Sequence, residues 1–223
     1  MVPPAAPEHP GIQARSAGLG LPTSQVPPAD AEVAACFPAR DAGEMRARGR
    51  LLSSLLCPGD VVLLEGDLGA GKTTFVQGVA EALGVEEAVT SPTFVLARPY
   101  ACARGPGAES ASGIDTLWHA DVYRLEHLRE VWDLDLAELV DEDAVAFVEW
   151  GDRAAPALGA DALRVLIEVT STASSVGDHP ERSVSFVAAR GSSWAERLEK
   201  LDSDRGLPAA SGAQPERGGQ PGC

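Results

Sequence analysis

Apolar residues fall into short blocks along the chain, and turn-forming residues separate them. The blocks at 33–37, 61–65, 93–100, 116–120, 144–148, 163–170 and 183–189 are bounded runs of the length and composition that predict strands. The stretches 45–56, 73 to about 83, and 193–201 mix apolar and polar residues at helical spacing. Asp41 followed by Glu44 reads as a capping box at the head of the first helix, and Pro58-Gly59 stops it. Gly84 stands where a carboxy-terminal cap would close the second helix. Residues 128–140 combine apolar and acidic positions and predict one or two short helices, whereas 103–113, rich in Gly, Ser and Ala, predict a surface loop. The last two strands, joined by a polar loop at 171–182, predict an antiparallel pair. Strand and helix alternate through the rest, which predicts a three-layer α/β fold with a mostly parallel sheet and an antiparallel C-terminal extension.

Between the strand at 61–65 and the next helix lies Gly66-Asp67-Leu68-Gly69-Ala70-Gly71-Lys72-Thr73, which matches G-x-x-x-x-G-K-[ST]. Lys72 and Lys200 are the only lysines in the chain, so the motif uses a rare residue at the position that needs it. A strand, a glycine-rich loop and a helix in this order point backbone N–H groups and the positive end of the helix at one place, where phosphates can sit. The glycines let the backbone approach without Cβ clashes. Lys72 would reach the β- and γ-phosphates, and the Thr73 hydroxyl would ligate Mg2+. The competing reading is a glycine-rich turn that holds no ligand.

With 223 residues and 44% hydrophobic content, the chain is long enough for one domain with appendages. Residues 1–30 are rich in Pro, Ala and Gly, residues 202–223 return to Gly, Pro, Ser and Gln, and both segments are expected to be disordered around a domain at 31–201. A net charge of −15 opposes direct contact with a polyanion, so any role with RNA is expected to be indirect. Cys36, Cys57, Cys102 and Cys223 show neither C-x-x-C pairing nor zinc spacing. The chain lacks asparagine, which excludes the Asn-Lys-x-Asp guanine-reading motif of ordinary GTPases. No run approaches the roughly 18 apolar residues that cross a bilayer, and a soluble, cytoplasmic protein is expected.

Two further strands end in carboxylates, Asp121 and Glu149. In open α/β sheets ligands bind beyond the carboxyl ends of strands, so both acids are candidates for the metal and for the attacking water. Glu149 is assigned the metal-linked role and Asp121 the catalytic one or a supporting one, with exchange of the two left open. Arg124 and Arg153 follow these acids and would either face the γ-phosphate or pair with the neighbouring acid. Ser91-Pro92-Thr93 is a γ-phosphate sensor or a plain turn. His119, mid-strand, is a proton-handling group or a core histidine. Trp150 is a lid, a partner contact or a packing residue.

Gly-Asp-Leu-Gly-Ala-Gly-Lys-Thr-Thr at 66–74, Ser-Pro-Thr-Phe at 91–94, His-Ala-Asp-Val-Tyr-Arg-Leu at 119–125 and Val-Glu-Trp at 148–150 together resemble the bacterial TsaE family, also called YjeE. The resemblance spans about 33–201. It implies a P-loop NTPase fold and an ATPase needed for threonylcarbamoyl modification of adenosine 37 in tRNAs that read codons beginning with A, acting with TsaB and TsaD. Residue by residue it implies nucleotide contacts from Gly66, Asp67, Leu68, Gly69, Ala70, Gly71, Lys72, Thr73 and Thr74, magnesium on Thr73 and Glu149, and an important acid at Asp121. Adenine is implied near Asp41 and the loop before Arg182. A segment at 90–97 would be the nucleotide-sensing switch. The insertion at 101–113 departs from the pattern without touching the motifs, and its Arg104 is the only arginine it would offer to a lid. The alternatives are a P-loop small-molecule kinase and a non-hydrolysing assembly switch.

Overall fold

Seven strands, β1 (Ala31–Ala39), β2 (Val61–Glu65), β3 (Ala97–Ala101), β4 (Thr116–Asp121), β5 (Ala144–Glu149), β6 (Leu163–Val169) and β7 (Arg182–Ala189), form one sheet in the order β1-β7-β6-β2-β5-β4-β3. The computed structural model describes residues 31–92, 96–103, 113–123, 140, 143–158, 161–170 and 180–205. Strands β6, β2, β5 and β4 are parallel neighbours, while β7, β1 and β3 join through antiparallel ladders. Every residue of β5 is buried, as a parallel strand covered on both faces must be, and its sequence AVAFVE is apolar up to the final acid. The edge strands β1 and β3 carry Pro38 and Pro99, which cannot donate to a ladder and are tolerated where one side of the strand has no partner.

Helices α1 (Ala42–Ser53), α2 (Lys72–Ala82), α3 (Gly151–Leu158) and α4 (Ser193–Arg205) cover this sheet. The larger core gathers Phe37, Val62, Leu64, Phe147, Val165 and Phe186 from the strands with Met45, Phe75 and Trp194 from the helices. The smaller core packs Leu63, Ala120, Val122 and Val148 against Ala154 of α3. Successive residues of β2 thus enter different cores, which is the period of two that gives three layers. The fold class expected from the sequence is the one observed.

Two helices approach unusually closely. A Cβ on Gly49 of α1 would stand 2.2 Å from the Phe75 carbonyl oxygen, and one on Gly78 of α2 would stand 2.1 Å from the Arg46 carbonyl oxygen. Glycine costs a helix interior about 0.5–1 kcal/mol relative to alanine, and here the cost is offset by backbone-to-backbone packing.

The structure also revises the element boundaries. The strand read at 93–100 is β3, which begins at Ala97; residues 93–95 lie outside the described residues, and Leu96 has φ 69°. Helix α3 is not among the elements read from the sequence, and it holds Gly151 and Pro156, residues that ordinarily signal a break. Gly151 is required there, since a Cβ would meet the Leu63 Cβ at 2.5 Å. Helix α4 continues beyond Leu201 to Arg205, past the domain boundary read from composition. Its Arg197 donates to both Asp60 oxygens at 2.6 and 2.9 Å and lies 3.7 Å above the Trp194 ring, tying α4 to the start of β2. The helices expected at 128–140 lie, but for Val140, outside the described residues, as do the terminal segments 1–30 and 206–223 and 104–112 of the insertion. Among the described residues no helix is long and apolar enough to cross a membrane.

Candidate functional site

The glycine-rich loop leaves the end of β2 and enters α2, as the sequence predicts. Three of its glycines have positive φ: Gly66 at 141°, Gly69 at 79° and Gly71 at 116°. A side chain at Gly66 would drive a Cβ to 2.3 Å from the Ile167 carbonyl oxygen, so β6 fixes where the loop begins. Helices α1 and α2 start differently. The Asp41 side chain caps α1 by accepting from the Glu44 N–H at 2.8 Å. Helix α2 has no side-chain cap and no acid in its first turn. Its first N–H groups are therefore available to an anion, and the helix dipole favours one there.

Lys72 folds back over this loop. Its Nζ donates to the carbonyl oxygens of Gly66 at 2.7 Å and Asp67 at 3.0 Å, and it sits 3.9 Å from the centroid of the Trp150 ring. Burial pushes the Lys72 ammonium below the ordinary lysine pKa, although Glu149, Asp121, Asp67 and Asp152 pull the other way. Trp150 reaches this position through a backbone φ of 62°, rare for a side chain of its size. Its ring lies 4.8 Å from that of Tyr123, and Arg153 stands 5.4 Å from the Tyr123 centroid while donating to the Tyr123 carbonyl oxygen. Arg153 thus braces an aromatic pair and forms no ion pair with an acid among the described residues.

The two strand-end acids come together as expected, since the β4–β5 register sets Asp121 opposite Glu149. The Thr73 hydroxyl donates to Glu149 Oε1 at 2.6 Å, and His119 Nε2 lies 2.9 Å from the same oxygen. His119 is thus a buried histidine that bonds the strand-end acid. Asp121 accepts from the Ser91 hydroxyl at 3.0 Å and from the Tyr123 N–H at 3.0 Å. This contact links the Ser-Pro-Thr motif to the acid. Thr93 of that motif, Arg104 and Arg124 lie outside the described residues.

Beside the loop opens a cavity of about 450 Å³ lined by Arg40, Asp41, Ala42, Gly43, Met45, Gly69, Ala70, Gly71, Thr74 and Arg182. Asp41 and Arg182, distant in sequence, share its wall, and Arg182 Nε is buried without a hydrogen-bond partner among the described residues. A cavity of this size accommodates a nucleoside. Arg40 and Met45 are wall residues that the sequence reading missed, though Met45 lies one helical turn beyond Asp41 and that spacing was a usable signal. Leu68, 88% exposed, points away from both cavity and core.

A hydroxyl and a carboxylate are hard oxygen donors of the kind Mg2+ prefers. Glu149 Oε2 accepts no hydrogen bond among the described residues, so the donor set of Thr73 and Glu149 fits that ion. The arrangement can hold a phosphate chain at the α2 amino terminus, a nucleoside in the cavity, and a metal between Thr73 and Glu149.

Comparison with known proteins identifies the family. The model of the family described as "Threonylcarbamoyl adenosine biosynthesis protein TsaE" matches residues 39–178. A Streptomyces coelicolor protein named tRNA threonylcarbamoyladenosine biosynthesis protein TsaE is 47% identical over 126 residues, covering 56% of this chain and 78% of the relative. A Bacillus subtilis protein of the same name is 39% identical over 145 residues, covering 65% and 80%. The crystal structure of Bacillus subtilis YdiB, a P-loop NTPase fold, superposes with a TM-score of 0.55 at 29% identity, covering 78% of this chain and 96% of that one. With a family model matched across more than half its length, and the glycine-rich loop and strand-end acids assembled at the carboxyl ends of the parallel strands beside the cavity, the chain belongs to the TsaE family.

Proposed function

We propose that this protein is a Mg2+-dependent ATPase of the cytoplasm that works with TsaB and TsaD in forming the threonylcarbamoyl group on adenosine 37 of tRNAs reading ANN codons. The observation that carries the reading is the hydrogen bond from Thr73 to Glu149 at the uncapped start of α2, which sets a metal-binding oxygen pair beside a phosphate site. In this reading the backbone of Gly66, Asp67, Leu68, Gly69, Ala70, Gly71, Lys72, Thr73 and Thr74 cradles the phosphates. Lys72 leaves the Gly66 and Asp67 carbonyls to meet the β- and γ-oxygens. Asp41 and Arg182 bound the nucleoside. Mg2+, held by Thr73 and Glu149, would neutralise charge that develops on the phosphate oxygens.

Asp121 serves as the acid that orients the attacking water, with Ser91 and the Tyr123 N–H fixing its carboxylate. The water oxygen bonds to the γ-phosphorus, the bond from that phosphorus to the bridging oxygen breaks with its electron pair staying on ADP, the water gives up a proton to the phosphate it forms, and ADP and phosphate leave. Ser91 gives Asp121 a link to the segment at 90–97, so a γ-phosphate that moved this acid would also move that segment. A nucleotide can shift docking on partners only through different affinities for the two states. The acidic chain, at −15, suits a protein that reaches tRNA through partners.

Steady-state hydrolysis of ATP, measured for the chain alone and with TsaB and TsaD, tests this. Stimulation by the pair is the expected result. A rate unchanged by the pair, with no phosphate released above the Lys72→Ala background, would replace the ATPase with a passive switch.

A pH dependence follows from the buried ammonium. Phosphate binding uses the charged form of Lys72, and the folded protein disfavours that form, so ATP affinity should begin to fall at a lower alkaline pH than an ordinary lysine would give. The same shift makes folding slightly less favourable while Lys72 is charged, a penalty that disappears as pH rises through its lowered value and toward that of the unfolded chain. Binding of a fluorescent ATP analogue followed from neutral to alkaline pH, with folding monitored in parallel, checks the first of these. An affinity that stays flat until ordinary lysines titrate would contradict it.

A further inference from the structure

We propose that His119 is a positioning residue for the metal site: it holds Glu149 Oε1 so that Oε2 is the oxygen presented to Mg2+. This rests on the reading that Thr73 and Glu149 hold the ion. Three observations carry it. His119 is fully buried in β4, and its Nε2 lies 2.9 Å from Glu149 Oε1. Its other ring nitrogen, Nδ1, is buried with no hydrogen-bond partner among the described residues. Glu149 Oε1 already receives the Thr73 hydroxyl at 2.6 Å, while Oε2 accepts nothing among the described residues.

A carboxylate oxygen only accepts, so the ring proton lies on Nε2 and Nδ1 keeps a lone pair. An unmet buried acceptor is tolerated more readily than an unmet buried N–H, which makes this tautomer the consistent one. A histidine kept for structure alone would use its second nitrogen; this ring spends its single hydrogen bond on the carboxylate. The imidazole is planar, has only two side-chain torsions and is enclosed by the sheet, so it fixes the carboxylate plane more firmly than a rotating hydroxyl can. Thr73 can then donate its proton to Oε1 and still offer a lone pair to the metal. Groups that orient metal ligands in this way commonly change metal affinity by about 10–100-fold when removed.

The test is fluorescence titration of the full chain with N-methylanthraniloyl-ATP over a range of MgCl2 and in EDTA. His119→Leu is expected to raise the Mg2+ concentration at half-maximal binding by about tenfold or more, with binding in EDTA unchanged. His119→Gln, which can again place a donor N–H near Glu149, should recover most of the loss. His119→Phe, which keeps a planar ring without a donor, carries the same expectation as leucine if leucine packs badly. A leucine variant that titrates like the wild type, or a glutamine variant as impaired as leucine, overturns the proposal, because packing would then explain the residue. Wild-type binding that ignores Mg2+ would remove the metal site itself and the proposal with it.

Discussion

Lys72→Ala is expected to lower ATP hydrolysis by about two to three orders of magnitude, the loss typical of removing one preorganised charge-stabilising donor. The fold should survive. The amine closes the loop through the Gly66 and Asp67 carbonyls, and Asp67 is exposed, so water can replace much of what the amine gives. Its contact with Trp150 adds about 0.5–2 kcal/mol, depending on how far the pair is desolvated. Thermal unfolding of the variant should therefore move by a few degrees while phosphate release falls to background. Near-normal hydrolysis in a folded variant would show that the loop's backbone alone carries the phosphate charge. Loss of folding would instead make Lys72 a structural staple between the loop and Trp150.

Glu65→Ala should have the largest effect on stability. Glu65 is the last residue of β2 before the loop, and Arg164 of β6 donates to both of its oxygens at 2.5 and 2.8 Å with both side chains nearly enclosed. Removing one partner leaves a buried guanidinium without its counter-charge, a change that costs about 3–5 kcal/mol. Replacing both together, Glu65→Met with Arg164→Leu, should recover most of that loss, since apolar packing can substitute for a buried ion pair. Urea unfolding of the single and double variants reads the difference. A single variant within about 1 kcal/mol of wild type would mean that water reaches the pair and solvates the orphaned arginine.

These two residues also mark how far the sequence could be read. Lys72, Thr73, Asp121 and Glu149 were legible because each lies in a short motif at a strand end, where chain connectivity alone decides which way the groups face. Glu65 and Arg164 were not: 99 residues separate them, and only the parallel register of β2 with β6 brings them together. His119 was visible as a residue but not as a partner of Glu149, since that contact depends on β4 lying beside β5. Asp41 and Arg182 entered as base contacts through family resemblance, and the cavity they share is walled by the start of α1, the glycine-rich loop and the first residue of β7. Helix α3 escaped because Gly151 and Pro156 are turn signals to local reading, and tertiary packing on Leu63 and Val148 overrode them. The antiparallel pair of β6 and β7 was legible from two apolar runs around a polar loop, but their capture of β1 was not, because the first strand pairs with a segment near the other end of the chain.

The glycine crossing of α1 and α2 has a consequence for motion. Side-chain layers between helices can slide and repack, but carbonyl oxygens set against Gly49 and Gly78 leave nothing to compress. Asp41 and Met45 travel with α1, and Lys72, Thr73 and Thr74 travel with α2. In the proposed reading, the wall for the base and the cradle for the phosphates then form one rigid jaw, whose span would gauge the length of the nucleotide. In that reading, yielding to an entering nucleotide falls to residues such as Arg182 and Trp150, which stand on elements that this crossing does not hold.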